Sequence, residues 1–158
     1  MFPVPIDPIG FAQTAGYFLT FPNDAVYDAA DHDVYVTDSF ADNVSVVAPN
    51  GTLVTTVPIG LSPSALAYSP VTQDVYVAGT SRAASSVSFV EAIGPTNAIV
   101  ATVTVGRCAD VLDFSSATGE MYSLSPCAGN VSVIGTNNAL VATIPLLSLI
   151  HISEPTRP

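Results

Sequence analysis

The stretch that decides the fold is Ala25-Val26-Tyr27-Asp28, Asp33-Val34-Tyr35-Val36-Thr37-Asp38, Asn43-Val44-Ser45-Val46-Val47 and Leu53-Val54-Thr55-Thr56-Val57-Pro58-Ile59-Gly60, because it recurs twice more. The second copy runs Ala65-Leu66-Ala67-Tyr68, Asp74-Val75-Tyr76-Val77-Ala78, Ser86-Val87-Ser88-Phe89-Val90 and Ile99-Val100-Ala101-Thr102-Val103-Thr104-Val105-Gly106. The third runs Val111-Leu112-Asp113-Phe114, Glu120-Met121-Tyr122-Ser123, Asn130-Val131-Ser132-Val133-Ile134 and Leu140-Val141-Ala142-Thr143-Ile144-Pro145. Tyr27 to Tyr35, Tyr68 to Tyr76 and Phe114 to Tyr122 are each eight residues. Tyr35, Tyr76 and Tyr122 lie 41 and 46 residues apart, and the spacing aligns Val46, Phe89 and Val133 at 43 and 44. Turn formers such as Pro49-Asn50-Gly51, Gly94-Pro95-Thr96-Asn97 and Gly135-Thr136-Asn137-Asn138 separate the β-branched runs. Asn-Gly between two such runs is a strong hairpin signal. No segment carries a helical period.

A repeat of about 40–45 residues with four strands per unit reads as propeller blades. The physical reason is burial. Each blade is a small twisted sheet whose neighbours cover both faces, so its strands read as near-continuous Val, Ile, Ala and Thr. The fold class expected is all-β, a partial β-propeller of about three four-stranded antiparallel blades. The expected boundaries are a lead-in or remnant of a preceding blade at 1–15, blades at 16–60, 61–106 and 107–146, and a non-native tail at 147–158.

The runs Val34-Tyr35-Val36-Thr37-Asp38, Asn43-Val44-Ser45-Val46-Val47 and Val141-Ala142-Thr143-Ile144-Pro145 resemble the YVTN-type β-propeller repeat of surface-layer-like and YncE-like proteins. The resemblance covers residues 16–146. It is specific for repeat type and weak for function, because its motifs are strand and turn positions. The third repeat departs from it, with Tyr122-Ser123-Leu124-Ser125 followed by Pro126-Cys127. Such propellers usually have about seven blades, so the resemblance implies a fragment whose remaining blades are its first partners. The tail Leu147-Ser148-Leu149-Ile150-His151-Ile152-Ser153-Glu154-Pro155-Thr156-Arg157-Pro158 fits no repeat and resembles translated sequencing-adapter sequence.

Composition narrows the function classes. The 158 residues carry 13 acids against 3 basic residues, a formal net charge of −10, yet only 10% are charged. Arg82, Arg107 and Arg157 are scattered and lysine is absent, so no nucleic-acid partner and no polybasic membrane contact is expected. No apolar run reaches the roughly 18–20 residues of a membrane-spanning helix. The Met1 segment has no basic n-region and its prolines interrupt any apolar core, so it is not a signal peptide as it stands.

Few residues invite chemistry. The hairpin turning at Ser116-Ala117-Thr118-Gly119 sets Phe114 opposite Met121 and Asp113 opposite Tyr122. Continued outward, it sets Val111 opposite Leu124 and Cys108 opposite Cys127. Opposed cysteines at a hairpin mouth meet disulfide distances, which implies an extracytoplasmic compartment. The alternative is two buried free thiols. Asn43, Asn50 and Asn130 begin N-glycosylation sequons, although asparagine at these places is also ordinary turn chemistry. Asp24, Asp28, Asp31, Asp33, Asp38 and Asp42 lack EF-hand spacing. They read as solvated turn residues, with a loose calcium site at Asp28, Asp31 and Asp33 as the alternative. His32 reads as a surface residue, and Asp110 and Asp113 flank the strand that would line the central channel. No catalytic residue, metal site or cofactor is expected.

The reading is therefore a non-catalytic cell-surface or envelope scaffold, extracellular in its full-length form. It would bind a protein, glycan or small ligand through loops on one rim. These are residues 60–64 and 106–110 between blades, and 38–43, 79–85 and 125–130 within them. The alternative is a lactonase-like or quinoprotein-like propeller enzyme whose site lies in other blades.

Overall fold

The computed structural model describes residues 21–81 and 87–146. The expected lead-in, the adapter-like tail with His151, and part of the loop after Ser81 lie outside the described residues. The described residues form twelve strands. They are β1 (Pro22–Tyr27), β2 (Val34–Asp38), β3 (Asn43–Val47), β4 (Leu53–Pro58), β5 (Ser62–Ser69), β6 (Asp74–Thr80), β7 (Ser88–Ile93), β8 (Ile99–Val105), β9 (Val111–Phe114), β10 (Met121–Ser125), β11 (Asn130–Ile134) and β12 (Leu140–Pro145). They make three four-stranded sheets, each in chain order and antiparallel throughout. The first strands, β1, β5 and β9, pack against one another in turn, whereas the last strands β8 and β12 scarcely meet. Three sheets so arranged fan outward from a common inner edge, as blades do.

Burial explains the strand sequences. In the middle blade, β6 is buried at six successive positions, because blade 1 covers one face and blade 3 the other. In the flanking blades, β2 and β10 alternate between buried and half-buried positions, since each has only one covered face. The outermost strands are largely exposed, with Val54, Val100 and Val141 all half open to solvent.

Two apolar cores lie between the blades. Tyr35, Val44, Val46 and Val57 of blade 1 face Leu66, Val75, Val77 and Ile93 of blade 2. Tyr76, Ala78, Val90 and Ala92 of blade 2 face Met121 and Ile134 of blade 3. The register gives one correction to the spacing. Tyr35 pairs across to Val46 and Tyr122 to Val133, but Tyr76 pairs to Ala92 rather than Phe89. Blade 2 has longer middle strands and a longer loop between them, which shifts the count by three.

The turns at one end repeat as faithfully as the strands. His32, Gln73 and Gly119 take left-handed backbone in the first turn of each blade, at φ 69°, 60° and 76°. Gly51, Asn97 and Asn138 do so in the last turn, at 82°, 58° and 58°. Asparagine tolerates this conformation better than most side chains, and here it also joins blades. The Tyr35 hydroxyl donates to Asn97 Oδ1 at 2.7 Å. The Tyr76 hydroxyl donates to Asn138 Oδ1, and Asn138 Nδ2 donates to Asp74 Oδ2 at 2.9 Å. Burial pushes both hydroxyls up from the usual tyrosine range, which keeps them protonated as donors.

One polar group breaks the repeat. Glu91 stands on β7 where the other blades carry Ser45 and Ser132. It is 7% exposed, and its Oε2 has no partner. Desolvation raises its pKa, against lowering hydrogen bonds from the Gly60 amide and the Thr102 side chain. A carboxyl raised on folding supports the fold below its unfolded range near 4.5 and loses that support as pH rises through the folded value. Glu91→Gln is therefore expected to raise the melting midpoint by about 2–4 °C at pH 7.5. At pH 4 the variant and the parent should melt together. Calorimetric scans at the two pH values check this.

Candidate functional site

The strand ends opposite the Tyr–Asn contacts carry the loops expected to share one rim, and hydrogen bonds tie them together. The Ile59 amide donates to the Asp42 carbonyl at 2.9 Å, and Ser62 Oγ donates to the Ser39 carbonyl at 3.0 Å. Between blades 2 and 3 the Ala109 amide donates to Ser88 Oγ at 3.3 Å. The Ala109 carbonyl accepts from Ser64 Oγ at 3.0 Å. The Asp110 amide reaches the Leu124 carbonyl at 3.1 Å.

Two local features hold this link. A Cβ added to Gly106 would lie 2.3 Å from Asn130 Oδ1 and 2.6 Å from Ser125 Cβ, so only glycine lets the chain pass so close to blade 3. The second is covalent. The β9–β10 register pairs Phe114 with Met121, Asp113 with Tyr122 and Val111 with Leu124. Beyond its end, Cys108 and Cys127 form a disulfide with Cα atoms 5.5 Å apart. Cys108 itself sits at φ 58°.

Beside the disulfide lies an open depression of about 320 Å³, lined by Ser62, Ser64, Thr80, Cys108, Ala109 and Asp110. The Ser62 and Ser64 hydroxyl protons are committed to the protein. Ser62 Oγ donates to Ser39, Ser64 Oγ to the Ala78 and Ala109 carbonyls, and Thr80 Oγ1 pairs with Ser88 Oγ at 3.1 Å. Ser62 and Ser64 can therefore offer a ligand only oxygen lone pairs, beside the exposed Asp110 carboxylate. Such a surface suits a ligand rich in donors, such as sugar hydroxyls or an ammonium group. Ser62, Ser64 and Thr80 carry no sequence motif, and only their strand-end positions hinted at the rim.

The other singled-out residues fall elsewhere. Asp113 is exposed on β9 opposite Tyr122. His32 lies at the far rim, its Nδ1 2.6 Å from the Tyr27 hydroxyl. The aspartates of blade 1 are less solvated than their turn positions imply. Asp28 and Asp38 are 2% and 7% exposed. Each holds backbone amides: Asp28 that of Ala30, and Asp38 those of Phe21, Phe40 and Ala41. Asp24 accepts from the Leu66 amide of blade 2 at 2.8 Å, and Asp31 accepts from the Asp33 amide. Among the described residues, no group of three or more His, Cys, Asp or Glu side chains is placed to hold a metal ion. Among the sequon asparagines, Asn50 is exposed at a hairpin tip, while the Oδ1 atoms of Asn43 and Asn130 are buried without partners. Among the described residues, no helix is long and apolar enough to cross a membrane.

No protein-family model matches the chain, and no curated protein sequence matches it. Solved structures do. The chain is similar to hydrazine synthase from Kuenenia stuttgartiensis, with 18% identity, a TM-score of 0.68, and coverage of 84% of this chain and 38% of that one. It is similar to virginiamycin B lyase from Staphylococcus aureus, with 14% identity, a TM-score of 0.65, and coverage of 82% and 42%. It is similar to the RRP9 WD40 repeats, with 16% identity, a TM-score of 0.61, and coverage of 82% and 40%. These neighbours are β-propellers, enzymes and repeat scaffolds alike, and the likeness shows the fold alone. The fold is a partial β-propeller, and the chain spans 38% of the first of these structures and 42% of the second.

Two expectations follow from the rim. Under denaturing, non-reducing conditions a thiol assay should find Cys108 and Cys127 unreactive. Reduction should lower stability by about 3 kcal/mol, and two reactive thiols before reduction would refute the bond. Separately, Gly106→Ala should cost about 1–3 kcal/mol by overpacking against Ser125 and Asn130, read from the urea midpoint.

Proposed function

We propose that this chain is a run of blades from a YVTN-type propeller that works outside the cytoplasm as a non-catalytic surface or envelope scaffold. Its rim between blades 2 and 3 binds a donor-rich polar ligand, with a glycan the best match. The observation that carries the reading is the depression beside the disulfide, where the Ser62 and Ser64 oxygens and the Asp110 carboxylate offer hydrogen-bond acceptors. A disulfide in this position favours an oxidising compartment. Ser62 and Ser64 hydroxyls already donating inward, beside one exposed carboxylate, favour recognition by ligand donors over nucleophilic attack, which needs a hydroxyl paired to a base.

The experiment is a glycan array probed with the full chain, followed by calorimetric titration of the best binder with product analysis. Saturable binding with the ligand recovered unchanged is the expected result. Asp110→Ala should weaken it about tenfold, in line with loss of a charge-assisted hydrogen bond, while Asp113→Ala, away from the depression, should leave it intact. Conversion of the ligand by the chain would replace the scaffold reading with an enzymatic one.

A further inference from the structure

The open face of blade 3 repeats, position for position, a face that is already covered elsewhere in the molecule. Ala65, Tyr76, Ala78, Val90, Ala92 and Val103 of blade 2 are buried against blade 3. The pairing registers place Val111, Tyr122, Leu124, Val131, Val133 and Ile144 at the same positions of blade 3. There, Val111 and Ile144 are 45% and 46% exposed, and Tyr122 is half-buried rather than buried.

The polar contact above that face is also present without its partner. At both internal interfaces a strand tyrosine donates to a left-handed asparagine in the last turn of the following blade: Tyr35 to Asn97 and Tyr76 to Asn138. At the second interface the acid two residues before the tyrosine, Asp74, accepts from the same amide, so oxygen and nitrogen are both gripped. Blade 3 carries the equivalent pair, Glu120 and Tyr122. Among the described residues no asparagine amide meets this pair, and the Tyr122 hydroxyl donates to Glu120 Oε2 at 3.1 Å. The opposite end of the molecule lacks the complement. In blade 1 the turn position of Asn97 and Asn138 is Gly51, which has the left-handed backbone and no amide.

We infer that Glu120 and Tyr122 form an amide clamp on a docking face that receives one further blade of this repeat, bearing asparagine at the left-handed position of its last turn. This rests on the reading that the chain is a run of blades from a larger propeller. It adds the chemistry that selects the neighbour. A second copy stacked head-to-tail would bring Gly51 to Tyr122 and leave the clamp empty, so the face is built for a blade with asparagine there.

The test extends the full chain. A copy of residues 60–105, which carries the Asn97 turn and no cysteine, is joined after Leu146 in place of residues 147–158. The join keeps register, because Leu146 stands where Ile59 precedes Gly60. Urea unfolding of the parent and the extended chain is compared with and without Tyr122→Phe. The extended chain should unfold cooperatively at a higher urea midpoint. Tyr122→Phe should raise its unfolding equilibrium constant about fivefold and leave the parent nearly unchanged. Asn97→Gly in the appended copy alone should reproduce that loss, and adding it to Tyr122→Phe should cost little more. An extended chain with no gain in midpoint would refute both the continuation of blades and the clamp. A gain in midpoint with Tyr122→Phe acting equally in both chains would leave the continuation standing and overturn the clamp alone.

Discussion

A four-stranded sheet with apolar side chains on both faces is unstable alone in water, and every feature of this molecule follows from that constraint. Three strands with one covered face are near the minimum for an independent sheet. Here each blade has four, and the middle blade buries six consecutive residues of β6 by using both neighbours. Stacking of this kind makes stability a matter of interfaces between repeats. The strands carry little of it by themselves, and the exposed last strands β4, β8 and β12 carry least.

The two interfaces are not equal. Between blades 1 and 2 the facing residues include Val44, Val46, Val57, Leu66, Val77 and Ile93. Between blades 2 and 3, blade 2 presents Ala65, Ala67, Ala78 and Ala92. Blade 3 answers with buried Ser123, Ser125 and Ser132, whose hydroxyls have no partner. Small and polar residues remove less apolar surface from water. At this thinner interface Gly106 lets the backbones close up, and the disulfide shortens the free chain at the rim beside it. The depression lies where these devices meet.

The sequence displayed the strand order, the blade count within the described residues and the β9–β10 register. All of these depend on short-range alternation and turn residues. The proximity of Cys108 and Cys127 was legible by extending that register. Other features were not. Tyr76 and Asn138 are 62 residues apart, and their meeting depends on how far one blade turns relative to the next. Spacing aligns Phe89 with Val46 and Val133 where the register places Ala92, because a longer loop changes spacing without changing strand chemistry. Asp28 and Asp38 look like any turn aspartates, and only the packed structure reveals the amides they hold.

The two rims are tied in different ways. On the rim of the first and last turns, the left-handed residues and the tyrosines that meet them fix how blades stack. A changed side chain there alters the interface itself. On the other rim, the loops within blades are tied mainly by hydrogen bonds to backbone groups, such as Ser62 to Ser39 and Ile59 to Asp42. Bonds of that kind ask little of the side chains that face outward. Blade 3 runs Tyr122-Ser123-Leu124-Ser125-Pro126-Cys127 into this rim while keeping the same strand pairing as blade 1. At this end of the blades the chain carries its disulfide, its depression and Asp110, and there the link between blades 2 and 3 runs through Ser64, Ser88 and Ala109 and the close passage at Gly106.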